Sequence, residues 1–473
     1  MAGNGGTRRA VMLRMRRSGA RRRGLGCSLL ISGLPAAAVV FLVTMPGRVL
    51  AQDDRPYSTF ASFDQLLGAR DARYRALTRV TDPGSLEHPA YTGFFFYQVD
   101  QFDISGRYLL GLRVYCPSRD VRPDDRGDVG YIDLKEGFKW TKIGQTTAWN
   151  WQQGNRLQWR PKSNEIVWND RADDGKSYVC RVYDFRTGAR RMLPRPIYDL
   201  SPDGATALTH DFERMKHFKG TEYVGIDDPY DNEFAPAQTG IWKMSMETGE
   251  ATLIISLQKM AAIASGNNLP ASGHLYFFRE GWNPSGTRLV TFIKDPVNNM
   301  YRAYSMTPQG TDVRFMYDNP SHHAWLDDDH IVDFGGHALV GANSPTRGYF
   351  LFKDDGSGRA AQRLWASNFD GHDSFVQGTG GDWMISDTYV LGGYQYLFLY
   401  HRPTRLFVPL AKFKSTAEHV PHFSPEYRVD LHPRLSRDGR TVCIDSTCEG
   451  LGRQMYLMDI GDILDHPPAR TAP

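Results

Sequence analysis

The sequence predicts an all-β protein, a seven-bladed β-propeller of four-stranded antiparallel blades, from three observations. A turn of the Ser-Pro-Asp-Gly type, preceded by an apolar or aromatic residue, recurs seven times. Each copy is followed by a second hairpin with strand-like residues. Successive copies lie 41 to 82 residues apart, and five of the six intervals are 60 residues or shorter. This spacing is close to the period of propeller blades.

Composition supports a folded protein with much β structure. Of the 473 residues, 41% are hydrophobic and 23% are charged, with 46 Gly and 27 Pro. These values exclude collagen-like, coiled-coil and broadly disordered proteins. Aromatic residues reach 12%, which favours strands and also flat ligands such as sugars.

The first 51 residues predict a cleaved export signal. They contain nine arginines and no acidic residue, and an apolar run of 15 residues extends from Leu29 to Val43. That run is shorter than the roughly 20 residues that span a bilayer, so we expect cleavage before Gln52 rather than a membrane anchor. Residues 52–473 should then form a single catalytic propeller domain, either periplasmic or secreted.

Without the signal the chain is mildly acidic. It has 47 basic and 53 acidic residues, a net charge of −6, which does not suit nucleic-acid binding. No later segment predicts a membrane span, and we expect a monomer. The sequence leaves three disulfide pairings open among Cys116, Cys180, Cys443 and Cys448.

The seven turns give the positions of the blades. Their first residues are Phe102, Trp159, Leu200, Trp282, Trp325, Phe375 and Leu435. Pro fixes φ and Gly accepts a positive φ, so these turns suit hairpins. Residues 210–238 lack strand alternation and predict a loop rather than an eighth blade. Residues 257–265 predict a short helix, residues 52–85 a helical or irregular lead-in, and residues 94–97 a strand that closes the ring.

Aligning the turns brings one residue of each blade to the same mouth of the central channel. Three positions before each turn stand Val99, Arg156, Ile197, Arg279, His322, His372 and His432. Asp430 lies two residues before His432 and points the same way on a strand. Three imidazoles and a carboxylate suit a divalent ion such as zinc or manganese. The alternative is a water-filled set of structural histidines.

Other polar residues should reach the same rim. Arg156 and Arg279 suit a substrate carboxylate, or else pair with neighbouring acids. His210 suits a general base, or else is a hydrogen-bonded strand end, and Tyr223 suits an acid, or else packs in its loop. The candidates for substrate binding are Gln153, Asn169, Asp170, Glu280 and Tyr230.

The arrangement of His322 with Asp430-x-His432 in such blades resembles oligogalacturonate lyase, a seven-bladed propeller with a manganese site. In that family the ligands come from the fifth blade and from an H-x-H motif in the last blade. Here Asp430 stands at the first position of that motif. The family's candidate base, a His on the fourth blade, aligns with Arg279.

Longer signatures resemble a related group of secreted propellers, the ulvan lyases and the enzymes acting on rhamnosyl-glucuronate linkages. The signatures are Gln101-Phe-Asp, Ala148-Trp-Asn-Trp-Gln152, Trp168-Asn-Asp-Arg171, Asp430-Leu-His-Pro-Arg434 and Glu449-Gly-Leu-Gly-Arg453. Ulvan lyases use His and Tyr as base and acid, with Arg on the uronate carboxylate. Gln153 stands where such a His is expected, and Gln98 aligns with a His that the rhamnosyl-glucuronate group carries on the opposite face.

The resemblance implies a polysaccharide lyase that cleaves uronate-containing glycans by β-elimination. A divalent ion (manganese, zinc or calcium) would be bound by His322, His372, Asp430 and His432. Arg279 and Arg156 would bind the carboxylate, His210 would be the base and Tyr223 the acid. Two alternatives stay open, an exo-α-L-rhamnosidase acting on rhamnosyl-glucuronate ends and a non-catalytic, TolB-like binding propeller.

Overall fold

The computed structural model describes residues 55–469, apart from residues 118, 269, 343 and 416–426. In this part of the chain 28 strands form seven antiparallel sheets of four strands each, which confirms the predicted seven-bladed propeller. The export signal predicted for residues 1–51 lies outside the described residues and stays a prediction. None of the described helices combines the length and apolar character that a membrane crossing needs.

Blades 1 to 3 each consist of four consecutive strands. Blade 1 contains β2 (Tyr91–Gly93), β3 (Tyr108–Val114), β4 (Gly127–Asp133) and β5 (Lys139–Thr146). Blade 2 contains β6 (Gln158–Trp159), β7 (Glu165–Arg171), β8 (Tyr178–Asp184) and β9 (Arg190–Leu193). Blade 3 contains β10 (Asp199–Leu200), β11 (Thr206–Thr209), β12 (Gly240–Ser245) and β13 (Ala251–Ser256).

Blades 4 to 6 repeat this order. Blade 4 contains β14 (Tyr276–Trp282), β15 (Leu289–Asp295), β16 (Met300–Met306) and β17 (Arg314–Asp318). Blade 5 contains β18 (Ala324–Trp325), β19 (His330–His337), β20 (Thr346–Lys353) and β21 (Ala360–Ala366). Blade 6 contains β22 (Ser374–Phe375), β23 (Trp383–Asp387), β24 (Tyr394–His401) and β25 (Leu406–Lys414).

Blade 7 joins the two ends of the described chain. Its inner strands are β26 (Arg434–Leu435), β27 (Thr441–Ser446) and β28 (Gln454–Asp459), and its fourth strand is β1 (Thr78–Arg79) from the N-terminal side. Thr78 pairs with Leu457, and Arg79 pairs with Tyr456. The ring is therefore closed by hydrogen bonds between residues far apart in sequence.

The prediction that residues 94–97 close the ring is wrong. Phe95 has a φ of 69°, a left-handed conformation that interrupts an extended strand. The backbone N–H groups of Phe94 and Phe95 donate to the Asp445 carboxylate at 3.2 and 3.0 Å instead of to a strand partner. Residues 94–98, which we term the channel segment, turn inward, and the ring of Tyr97 lies beside histidines from blades 5 to 7.

Short helices flank the blades. Helix α1 (Phe63–Gly68) begins after Ser62, whose hydroxyl accepts a hydrogen bond from the Gln65 N–H. Helix α2 (Leu257–Ser265) begins after Ser256 in the same manner and ends at Gly266 with a φ of 58°, as expected for capped helices. It confirms the helix predicted for residues 257–265. A third helix, α3 (Gly461–Asp465), follows β28.

The long interval in blade 3 is a loop, as predicted. Residues 210–239 connect β11 to β12 and contain a 3₁₀ helix, Phe212–His217, but no strand among the described residues. We term residues 210–239 the insertion. Of the three open disulfide pairings none is present, because the four described cysteines are all free thiols.

Candidate functional site

A cavity of about 160 Å³ lies where the innermost strands of several blades begin. Its lining residues are Phe96, Gln152, Gln153, Phe218, Lys219, Thr221, Phe278, Arg279, His322, His372, Arg428 and His432. Blades 4 to 7 supply residues that precede or begin their innermost strands, the channel segment supplies Phe96, and the insertion supplies three residues. We term this space the upper cavity.

Three histidines converge in its wall. The ring centroids of His322 and His372 are 4.2 Å apart, as are those of His372 and His432. The ligand atoms of His372, Asp430 and His432 all lie within 4.8 Å of one another. The structure thus brings together the four predicted metal ligands, with His322 beside the compact group of three.

Two carboxylates, the buried Asp387 and the partly buried Asp370, orient two of these imidazoles. Asp387 lies 2.9 Å from His372 Nδ1, and Asp370 lies 3.1 Å from His322 Nδ1. Because an ionised carboxylate only accepts hydrogen bonds, each Nδ1 carries the proton and each Nε2 keeps a lone pair. This is the arrangement in which metal-binding histidines occur, with the second ring nitrogen held by an outer carboxylate.

One polar atom at this point, His432 Nδ1, is buried without a hydrogen-bond partner among the described residues. Such an atom costs free energy unless a further group satisfies it. The Asp430 carboxylate pairs with Arg428, whose Nε lies 2.9 Å from Oδ2. Burial, with contributions from Arg279 and the neighbouring histidines, holds the pKa values of His322 and His432 well below the usual range. These two imidazoles are therefore neutral at pH 7, the form that binds metal ions. The donor set of three imidazoles and one carboxylate fits a divalent ion.

The backbone turns sharply at three equivalent positions. Arg156, Arg279 and His432 have φ values of 55°, 60° and 48°, which non-glycine residues seldom adopt and which cost on the order of 1–3 kcal/mol each. In blade 4 the turn coincides with a bulge between Phe278 and Gly281. Strained positions of this kind cluster at functional sites, and here they direct Arg279 and His432 to the cavity wall.

The two arginines differ in what they offer a ligand. Arg279 lines the upper cavity and donates to the Ser321 carbonyl, and its buried Nε has no hydrogen-bond partner among the residues that the structure describes. Arg156 is 1% exposed, donates from Nε and Nη2 to the Tyr198 carbonyl, and does not line the cavity. Both guanidinium groups lie over the Phe96 ring, at 5.1 and 5.7 Å. Of these two arginines, Arg279 is therefore the one that a ligand in this cavity would meet, and Lys219 and Arg428 are the other cations of the lining.

The predicted base and acid are buried behind the cavity rather than in its wall. His210 is 3% exposed, and its Nδ1 lies 2.9 Å from Glu280. Tyr223 is 1% exposed, its ring stacks on Phe212 at 4.5 Å, and its hydroxyl accepts a hydrogen bond from Asn169. Aromatic packing of the insertion against blade 3 places both side chains in the interior, although the sequence register placed them on the rim.

Among the predicted substrate-binding residues, Gln153 lines the upper cavity and donates to the Tyr198 hydroxyl at 3.2 Å. Asn169 joins neighbouring blades instead, because its amide exchanges two hydrogen bonds with the Ile197 backbone. The other three lie outside the lining: Glu280 pairs with His210, Asp170 pairs with Arg181, and Tyr230 lines a separate cavity on the insertion.

Sequence reasoning missed Lys294, at the end of β15. Its ammonium nitrogen lies 4.6 Å from the ring centroid of Phe278 and 5.0 Å from that of Phe218, two rings that line the upper cavity. Burial, followed by the nearby charge of Arg279, lowers the pKa of Lys294 to about 7. A lysine at the end of an otherwise apolar strand, Leu289-Val-Thr-Phe-Ile293, was the available signal.

Tyr389 and Arg428 also escaped the sequence analysis. The Tyr389 hydroxyl lies 3.4 Å from His322 Nε2, and burial raises its pKa. Arg428 lies over the Tyr389 ring at 4.7 Å and donates to Asp430 at 3.0 Å. Both come from loops whose course the repeat does not specify.

A second cavity, of about 590 Å³, lies at the opposite ends of the innermost strands, where the repeated turns gather. Gln98 lines it and lies 3.1 Å from His323 Nε2. The channel segment separates the two cavities, because Phe96 lines the upper cavity whereas Tyr97 and Gln98 line the second cavity.

Comparison with known proteins bears on the fold. No family model matches the sequence, and no curated protein matches it. Among solved structures, an oligogalacturonate lyase in complex with manganese aligns with a TM-score of 0.57 and 13% identity, covering 85% of this chain and 96% of that chain. An oligogalacturonate lyase from Vibrio parahaemolyticus aligns with a TM-score of 0.56 and 12% identity, covering 88% and 98%. At such identities the likeness shows a shared propeller fold.

Proposed function

We propose that this chain is a lyase that cleaves uronate-containing oligosaccharides or polysaccharides by β-elimination at the upper cavity. The observation that carries the proposal is the convergence of three imidazoles and Asp430 beside Arg279 at one cavity wall. The two aligned oligogalacturonate lyases, one of them described with manganese, support the same chemistry. The resemblance to ulvan lyases and rhamnosyl-glucuronate enzymes stays an expectation from the sequence.

β-Elimination first requires that the uronate carboxylate be neutralised, because its negative charge opposes removal of the C5 proton. His322, His372, Asp430 and His432 would hold a divalent ion, which supplies this positive charge when bound. Arg279 adds a guanidinium whose Nε has no hydrogen-bond partner within the described part of the chain, so it is available to a carboxylate oxygen. Electrostatic stabilisation of this kind is usually the largest contribution to catalysis.

The reaction next requires a base for the C5 proton. The electron pair of that C–H bond forms the C4–C5 double bond while the C4–O bond breaks. Lys294 borders two rings of the cavity wall, and its pKa of about 7 leaves much of it as the neutral amine near neutral pH. Neither Lys294 nor His210, the base predicted from the sequence, is part of the cavity lining, but Lys294 packs against two lining rings, whereas His210 is buried and paired with Glu280. We therefore assign proton abstraction to Lys294 and keep His210 as the alternative.

The leaving C4 oxygen receives a proton in the last step. Tyr389 lies beside His322 and keeps its proton at neutral pH, because burial raises its pKa. The predicted acid, Tyr223, is enclosed by Phe212 and Asn169. We therefore assign the acid to Tyr389.

The proposal is tested with residues 52–473 incubated with oligogalacturonate, ulvan and rhamnose-capped arabinogalactan. Ultraviolet absorbance of the unsaturated uronate and release of free sugars are recorded together, with and without Mn²⁺. We expect absorbance to rise on at least one substrate in the wild type and to stay flat in His372→Gln. His330→Ala, at a partly exposed histidine of blade 5, is the matched control and should retain activity.

The alternatives give different results in the same assay. Free rhamnose without absorbance would establish the hydrolase and overturn the lyase. Glycan binding without turnover would establish the non-catalytic propeller.

A further inference from the structure

The insertion contacts blade 4 through an extensive set of polar contacts. Arg214, in its 3₁₀ helix, is 2% exposed. Its guanidinium donates to Leu275, which precedes β14, and to groups on the insertion itself: Asp228, Tyr230, Glu233 and Phe234. Beside this arginine lie two histidines and an aspartate that the upper cavity does not use.

His217 and Asp231 belong to the insertion, whereas His274 belongs to the loop before β14. One ligand atom from each of these three residues lies within 4.8 Å of the other two. His217 Nε2 is 2.7 Å from Asp231 Oδ1, and the two imidazole centroids are 4.0 Å apart. The cluster thus joins two segments that are separated by more than 40 residues in sequence.

The hydrogen bonds of His274 determine which of its nitrogens faces Asp231. Its Nε2 lies 3.1 Å from the Arg214 carbonyl oxygen, which only accepts, so Nε2 carries the proton. Nδ1 therefore presents a lone pair, and it lies 4.0 Å from Asp231 Oδ1. Two acceptors facing each other at this distance form no hydrogen bond.

This separation suits a shared cation. One Zn–N and one Zn–O bond together span at most about 4.3 Å, and about 3.4 Å at a tetrahedral angle, so Nδ1 of His274 and Oδ1 of Asp231 reach one ion after the two side chains close by roughly half an ångström. The backbone carbonyl on the opposite nitrogen is the outer partner that metal-binding histidines usually have. Lys216 pairs with Asp231 through Oδ2 at 2.7 Å, so Oδ1, which lies 2.7 Å from His217 Nε2, is the oxygen that would meet the ion once His217 turns. His217, with a side chain 45% exposed, has room to rotate into place.

We propose that His217, Asp231 and His274 form a second metal site, for a zinc-type divalent ion, that fastens the insertion to blade 4. This site shares no residue with the cluster of His322, His372, Asp430 and His432. Two imidazoles and one carboxylate favour transition ions over Mg²⁺ and Ca²⁺, which prefer oxygen ligands. Phe218 and Lys219, which line the upper cavity, directly follow His217, so the ion would hold that wall in position.

The test counts Zn²⁺ bound per chain by equilibrium dialysis of the full chain and measures its affinity by calorimetry. We compare wild type with His217→Ala and Asp231→Asn, which change partly exposed side chains, and with His330→Ala as matched control. His330 is also a partly exposed histidine that pairs with an aspartate, Asp327 at 2.9 Å. The readout is the difference in bound Zn²⁺ between the wild type and each variant. Zn²⁺ bound at the cluster of His322, His372, Asp430 and His432 is common to all the proteins and does not affect this difference.

We expect His217→Ala and Asp231→Asn to bind one equivalent fewer, or to bind it at least 10- to 100-fold more weakly, the loss that even an outer partner causes. His330→Ala should match the wild type. Retention of the full number of equivalents at wild-type affinity in either variant overturns the site.

Trypsin cleavage after Lys216 and Lys219 gives a second readout of the same proposal. Saturating Zn²⁺ should slow cleavage there in the wild type and in His330→Ala, and leave it unchanged in His217→Ala. Cleavage of the wild type that is insensitive to Zn²⁺ overturns the fastening role.

Discussion

At the scale of single residues, the protonation of Lys294 should affect two measurable quantities, the pH dependence of activity and the pH dependence of stability. The neutral amine is the form that accepts a proton, so activity should rise as pH increases through about 7, the lowered pKa of this lysine. Lys294→Met should remove this rise and lower kcat by about 10²- to 10⁴-fold, the usual contribution of a general base. Lys353→Met, at an exposed lysine on blade 5, is the control. An unchanged pH profile in Lys294→Met would transfer the role to His210.

The same lysine affects stability with a defined sign. Between pH 7 and the ordinary lysine pKa of 10.5, the unfolded chain holds a proton that the folded chain has lost. The contribution of Lys294 to the free energy of unfolding therefore increases with pH across that window. Urea denaturation at several pH values should show this increase flattened in Lys294→Met, because methionine does not titrate.

Asp387 should control metal affinity without being a ligand. It accepts hydrogen bonds from the His372 ring and from the backbone N–H groups of His372 and His432, so it orients two ligands at once. We expect Asp387→Asn to weaken Mn²⁺ binding by about 10- to 100-fold, measured by calorimetry. Asp382→Asn changes an exposed carboxylate on the same blade and should bind as the wild type does. Equal affinities in all three proteins would contradict the orienting role.

The residue scale also shows where sequence reasoning stopped. The grouping of His322, His372 and His432 was predictable because each lies three residues before the same repeated turn. Residues aligned to the same turn occupy equivalent positions in their blades, even where the strand register is uncertain. His210 and Tyr223 were placed by strand polarity alone. Their burial results from stacking among Tyr198, Phe212 and Tyr223, contacts that only the folded insertion brings together.

At the scale of elements, strand β1 closes the ring with only two residues. Each hydrogen bond at or beside this strand should therefore contribute measurably to the free energy of unfolding. Thr81, next to β1 and 7% exposed, donates to Gln454 Oε1 at 2.7 Å and accepts from the Met455 N–H at 3.0 Å. Thr81→Val keeps the shape but leaves both partners unsatisfied. We expect the free energy of unfolding to fall by about 2 kcal/mol, measured by urea denaturation.

The control for this prediction is Thr78→Val, in the exposed part of the same strand. It should change the free energy of unfolding by less than about 0.5 kcal/mol. Equal losses in the two variants would show that the contacts of Thr81 do not hold the closing strand.

The closing strand itself illustrates a limit of pattern reading. The aromatic run Phe94-Phe-Phe-Tyr97 is typical of a strand in composition, whereas Thr78 and Arg79 carry no such signal. Composition reports that a side chain is buried, and the channel segment is buried. It does not report that the burial lies against histidines in the channel rather than in a sheet. The blades, in contrast, were predictable because each repeats the same local turn.

At the scale of the whole molecule, the candidate ligands come from consecutive blades. His322 precedes blade 5, His372 precedes blade 6, and Asp430 and His432 precede blade 7. An ion bound by these residues would join blades 5, 6 and 7, and blade 7 is the blade in which strand β1 closes the ring. The proposed site and the ring closure therefore lie in the same sector of the propeller, and variants there require a stability measurement beside each activity measurement.

The contact between blades 7 and 1 depends on a buried ion pair within blade 7. Arg453 Nη1 lies 2.7 Å from Asp445, and the two side chains are 1% and 0% exposed. Arg453 also donates to the Trp151 carbonyl, and Asp445 accepts from the N–H groups of Phe94 and Phe95. Removing one partner of a buried pair leaves the other charge unpaired, which typically costs about 3–5 kcal/mol. We therefore expect Arg453→Met to lower the free energy of unfolding by that amount.

An exposed ion pair provides the comparison. Arg440 and Asp465 are 2.6 Å apart, with side chains 43% and 51% exposed, and Arg440→Met should change the free energy of unfolding far less than Arg453→Met does, because water screens such pairs. Urea denaturation of both variants at one pH distinguishes the two cases. A loss below about 1 kcal/mol in Arg453→Met would mean that the apolar contacts between blades 7 and 1 close the ring without this pair. A loss of unfolding free energy several-fold larger than in Arg440→Met would show that the buried ion pair, as well as strand pairing, stabilises the closed ring where blades 7 and 1 meet.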